Sequence, residues 1–172
     1  MKILPSVRAV LETTPERWLA LAGRVPADLM ERRPAPQEWS PVECLLHMLD
    51  VEVVYGQRIE ALLEGRNIPA FDPHAGGTQN AAGLSPTELA IVFSDLRQMT
   101  MELLGRLTTV DLERQAVHAE LGPVLLEELL YTWAAHDLNH TIQAERALIQ
   151  PFIANSGPWQ RFFTAHTLPP TE

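Results

Sequence analysis

Two short runs constrain this chain more than any other feature. Ser40-Pro41-Val42-Glu43 and Ser85-Pro86-Thr87-Glu88 each place a serine before a proline, with a glutamate three positions on. A serine oxygen in that position accepts a free amide of the first helical turn, and the glutamate reaches back to the serine amide. Proline at the first helical position lacks only an N–H that had no partner. Both runs therefore predict helix starts, and Gly122-Pro123 predicts a third with a weaker cap. The expected long helices cover about Leu4–Ala22, broken near Pro15, then Pro41–Leu63, Pro86–Leu107 and Pro123–Ile149, the last ending before Pro151. No stretch alternates β-branched and polar residues over a useful length, so no sheet is expected. The reading is an all-α chain, a four-helix bundle, with residues 1–172 as one domain. The connections at 24–39 and 66–84 exceed the usual length, and the second, with Gly76-Gly77, is long enough to cross the bundle. The tail from Ser156 carries Trp159, Phe162 and Phe163 and is expected to pack back on the bundle.

Composition narrows the function classes. Hydrophobic residues make up 46% of 172 and charged ones 20%, a globular balance. The formal net charge is -9, which disfavours phosphate backbones and anionic lipid, and no basic patch with interleaved aromatics is visible. No nucleic-acid or membrane partner is expected. There is one cysteine, Cys44, and hence no intrachain disulfide framework. The first ten residues have no apolar core of the signal-peptide kind, and no apolar run reaches the ~20 residues of a membrane helix. A cytoplasmic location is the expectation.

Chemistry concentrates in the histidines. His136 and His140 are four apart, so on one helix they stand one above the other. They fall in the stripe Leu126, Leu129 or Leu130, Trp133, His136, His140, Gln143, Ala147, which is otherwise mostly apolar. Buried imidazoles need partners for their nitrogens, and one cation can satisfy two rings at once. His47 lies in a helix that is apolar in nearly every direction, on a flank shared with Glu43, Asp50 and Val54. Three imidazoles from two helices would leave coordination positions open, as catalytic rather than structural sites do. The alternative is a set of hydrogen-bonded core or rim histidines. The Glu-x-x-His pattern of di-iron bundles is absent, because Cys44 and Trp133 stand three before His47 and His136. Asp137 stands where a zincin carries glutamate, so a metalloprotease is not expected. Cys44 is a possible ligand but fits core filler better. Glu43 fits the capping box; Asp50 either orients His47 or belongs to the rim. His118 is a further candidate to line the site, whereas His74 and His166 read as surface. Trp39, Tyr55, Trp133 and the 66–84 loop are candidates for a pocket wall, although ordinary packing explains each of them as well.

Trp39-Ser40-Pro41-Val42-Glu43 with His47 and Asp50 downstream, and His136-Asp137-Leu138-Asn139-His140 followed by Gln143, resemble the DinB-like superfamily, as does the Leu29…Arg33-Pro34 stretch. The similarity runs from about Leu4 to Leu148. It implies a DinB-like four-helix bundle and a divalent metal ion held by three histidines, which here match His47, His136 and His140. It also implies a homodimer and a small-molecule substrate. Some members are S-transferases or isomerases that use a low-molecular-weight thiol such as bacillithiol or mycothiol. A metal-dependent transferase or hydrolase is therefore expected, with a metal-binding or interaction module lacking turnover as the alternative. Imidazole ligands do not distinguish zinc, nickel and iron.

Overall fold

The computed structural model describes residues 3–71 and 83–168. Four long helices form the bundle: α1 (Ile3–Arg24), α3 (Pro41–Glu64), α4 (Pro86–Gly105) and α5 (Leu126–Ala154), with a short α2 (Ala27–Glu31) before α3. Helices α1 and α3 each pack on α4 and α5 and stand diagonally opposite one another. Sequence neighbours are thus not all spatial neighbours, and the connections after α1 and α4 cross the bundle diagonal. Gly76-Gly77, the expected crossing point, lies outside the described residues.

Both serine caps form as the sequence demands. Ser40 Oγ accepts the Glu43 amide at 3.2 Å and Glu43 Oε2 accepts the Ser40 amide at 2.8 Å; Ser85 and Glu88 repeat the pair. Gly65 closes α3 in the left-handed region at φ 68°, which costs a residue without Cβ little.

Three boundaries differ from the sequence reading. Helix α1 runs unbroken through Pro15. Proline has no N–H for the carbonyl four residues back, which frees Leu11 O; here the Arg97 guanidinium donates to that oxygen at 2.8 Å. A side chain from α4 thus supplies the missing donor. Secondly, a sheet does form. Strands β1 (Gln115–His118) and β2 (Gly122–Leu125) pair antiparallel, with Val117 opposite Pro123. Gly122-Pro123 therefore belongs to a strand, and α5 starts only at Leu126, where Glu128 Oε2 accepts the Leu125 amide at 2.8 Å. Thirdly, α5 continues past Pro151 to Ala154. The tail folds back, with Gln150 Nε2 donating to His166 O at 2.9 Å, but Trp159 and Phe162 stay 64% and 63% exposed.

The apolar core is in two parts. One holds Leu11, Tyr55, Ile59, Leu62, Leu104, Leu130 and Trp133; the other holds Trp18, Met30, Leu45, Met48, Leu89, Phe93 and Ala144. A buried polar layer separates them along the helices. Arg97 donates to Glu52 at 2.9 and 2.7 Å and to Asp137 at 2.7 and 3.1 Å, and Thr100 Oγ1 joins at Glu52. Arg97, Glu52 and Asp137 are nearly inaccessible to water. Burial alone would lower the Arg97 pKa, but the hydrogen bonds it donates to Glu52 and the charges of Asp137 and Glu52 outweigh it and hold it above its ordinary value. Burial raises the Asp137 pKa, against the pull of Arg97. One guanidinium thereby links α1, α3, α4 and α5 at a single level.

Candidate metal centre

His47 comes from the first half of α3, and His136 and His140 from the middle of α5. The α3–α5 packing brings them together. His47 Nε2 and His136 Nε2 lie 3.0 Å apart, and one ring nitrogen of each of the three residues falls within 4.8 Å of the others. Ring centroids are 5.1 Å (His47–His136), 4.6 Å (His47–His140) and 4.3 Å (His136–His140). The centre of the inward stripe of α5 is Asp137, fully buried; His136 and His140 flank it on the α3 side.

Burial sets the charge state. Desolvation first, then the His140 charge, push the His47 pKa down to about 4. Desolvation, with His140, His47 and Arg97 adding to it, pushes His136 down to about 3. His140 is lowered by burial, opposed by its bond to Gln143. All three rings are neutral near pH 7 and keep a lone pair for a cation. His140 Nδ1 faces Gln143 Oε1 at 2.8 Å, so the acceptor fixes the proton on Nδ1 and leaves Nε2 unprotonated. His136 Nδ1 is buried without a hydrogen-bond partner among the described residues. Two imidazole nitrogens on one ion at about 2.1 Å stand roughly 3.0–3.4 Å apart, a range that includes the observed pair. The donor set fits a divalent cation.

Aromatic rings surround the cluster. Trp39, at the entry to α3, stacks on His140 at 5.8 Å and tilts over His47 at 5.1 Å while staying 36% exposed. Tyr55 meets His136 edge-on at 5.9 Å and stacks on Trp133 at 5.0 Å. Trp39 is thus the partly open cover, and Tyr55 and Trp133 are core.

The other candidates go elsewhere. Cys44 is buried, its thiol pushed up to about 12 by burial and then by Glu43, so it stays protonated and packs as core. Glu43 caps α3 and pairs with Arg33. Asp50 is buried along α3 but is not one of the clustered ligands. His118 lies in β1 beside Arg58, not in the cluster. His166 is exposed; His74 lies outside the described residues. Gln143 was legible only as part of a motif, and its orienting role needed the geometry. The Arg97–Glu52–Asp137 layer behind His136 escaped the sequence reading, although each member falls at core spacing from an apolar neighbour: Arg97 four after Phe93, Glu52 three after Leu49, Asp137 four after Trp133.

Residues 10–144 match the family model of the DinB superfamily. No curated protein matches the chain in sequence. Among solved structures, YfiT from Bacillus subtilis, described as "a probable metal-dependent hydrolase with an unusual four-helix bundle topology", superposes with a TM-score of 0.70 at 17% identity, covering 87% of each chain. A mycothiol-dependent maleylpyruvate isomerase gives 0.62 at 14% identity, covering 82% of this chain and 60% of that one. A conserved protein from Enterococcus faecalis gives 0.60 at 16% identity over 87% of this chain and 97% of the other. These likenesses carry the fold. Among the described residues, no helix is long and apolar enough to cross a membrane.

Proposed function

For a chain that belongs to the DinB superfamily, we propose a divalent-metal-dependent enzyme acting on a small molecule, with His47, His136 and His140 as the metal ligands. The observation that carries this reading is the convergence of three neutral ring nitrogens within 4.8 Å at the α3–α5 seam. The names of two neighbours, a probable metal-dependent hydrolase and a mycothiol-dependent isomerase, support a small-molecule reaction at such a centre.

The chain's own residues do the following. Burial keeps His47 and His136 unprotonated, so both offer lone pairs at neutral pH. Gln143 orients His140 through its Nδ1–H. Trp39 covers one side and keeps bulk water from it. Three protein ligands leave at least one position free. A divalent cation held there lowers the pKa of a bound water or thiol and so provides a nucleophile near pH 7. The proposal therefore takes in both a hydrolase and a low-molecular-weight-thiol transferase. A metal-binding module without turnover remains the alternative.

The test is elemental analysis of protein purified without added metal, beside a hydrolysis and thiol-transfer screen. We expect about one divalent ion per chain, and loss of both metal and activity in His136→Ala. Unchanged metal content in that variant rejects the assignment. Metal without turnover across the screen selects the binding module.

A further inference from the structure

Every N–H of the Arg97 guanidinium is used. Nε donates to Glu52 Oε1 at 2.9 Å and Nη2 to Glu52 Oε2 at 2.7 Å. Nη1 and Nη2 donate to Asp137 Oδ2 at 2.7 Å and Oδ1 at 3.1 Å, and Nη1 also donates to Leu11 O at 2.8 Å. A guanidinium carries five N–H donors in one plane, so none is left over and each carboxylate is held two-pronged at its own edge of that plane. The guanidinium carbon lies over the Phe93 and Trp133 rings at 5.0 and 5.1 Å, so its faces are packed as well.

The two carboxylates belong to the two helices that carry the histidines. Glu52 stands on α3 five residues after His47, about 7.5 Å along the axis. Asp137 stands on α5 directly after His136 and three residues before His140. One rigid plane therefore fixes how far α5 is slid and turned against α3. Apolar packing along the seam is non-directional and sets that register less sharply. The demand on it is strict: a slip of one turn moves side chains by about 5.4 Å, whereas metal–nitrogen distances vary by only about 0.2 Å.

We propose that Arg97 is a positioning residue for the metal centre: through Glu52 and Asp137 it sets the register of α3 against α5 that brings His47 to His136 and His140, and thereby the affinity for the cation. The register stands on the five hydrogen bonds; the effect on affinity rests on the reading of the three histidines as metal ligands.

Zinc ion is the probe. Its dissociation constant is read by competition with a chromophoric chelator, under conditions where circular dichroism shows each protein folded. Arg97→Lys keeps the buried charge but loses the planar fork, and should bind zinc at least about tenfold more weakly. Glu52→Gln leaves Arg97 ion-paired to α5 alone and should also weaken zinc, which keeps the test decisive where the lysine variant does not fold. Leu62→Ala, a core truncation at the far end of α3, lowers stability without touching the layer and should keep the wild-type affinity. Metal-free crystal structures give the second readout. The His47 and His136 Nε2 atoms should stand near 3.0 Å apart in the wild type. In the layer variants they should stand farther apart than the roughly 3.4 Å that one tetrahedral ion spans. Wild-type affinity in the layer variants, an equal loss in Leu62→Ala, or an unchanged separation overturns the proposal. A wild-type protein that takes up no zinc counts against the histidine reading instead, and the separation alone then decides whether Arg97 sets the register.

Discussion

A histidine that folds into a dry seam as the neutral ring makes stability depend on acid. The unfolded chain protonates His47 and His136 near the ordinary 6.5, while the folded chain resists until about 4 and about 3. Folded values below unfolded ones mean that the stability is fully present above pH 6.5 and drains away as pH falls toward 4 and 3. The metal-free protein is expected to lose urea resistance steadily from pH 7 to pH 5, with a shallower loss in His47→Asn. Identical pH slopes in the two proteins would show that His47 does not fold as a neutral group. Arg97 gives a larger effect. Arg97→Met leaves Glu52 and Asp137 buried without their counter-charge and Leu11 O without its donor. Removing one partner of a buried charge network costs about 3–5 kcal/mol, read as a drop in the urea midpoint. A cost below about 1 kcal/mol would mean that water reaches the layer. The histidines were legible because spacing alone puts His136 and His140 on one face. The charged layer was not, because a lone charge in an apolar stripe reads equally as rim until the facing helices supply its partners.

Helix starts were the most legible elements, since a cap is encoded in four consecutive residues. Ser85→Ala removes the oxygen that accepts the Glu88 amide. It should cost about 1 kcal/mol in urea unfolding and leave metal content unchanged, because the cap lies outside the metal centre. No measurable cost would show that Glu88 alone satisfies the first turn. The hairpin was hidden by its size: strands of four residues are too short for alternation to register. Gly122-Pro123 imitated a helix start there, whereas in the structure Gly122 takes the left-handed turn at φ 75° and Pro123 sits in a strand. Pro15 misled in the opposite direction. Its break is repaired by Arg97 from another helix, a long-range rescue invisible to a local reading.

On the scale of the whole molecule, two apolar clusters give the bundle its stability and the polar layer between them fixes how the helices align. That alignment holds α5 against α3 at the level where residues 89 positions apart in sequence bring two nitrogens to 3.0 Å. The bundle class followed from the helix count, but the diagonal placement of α1 and α3 did not, since it depends on where the connections cross. Anomalous X-ray scattering from crystals of the metal-loaded protein tests this account most directly. It should show one cation bonded to ring nitrogens of His47, His136 and His140. A cation held elsewhere, or three rings left uncoordinated in a loaded crystal, would contradict it.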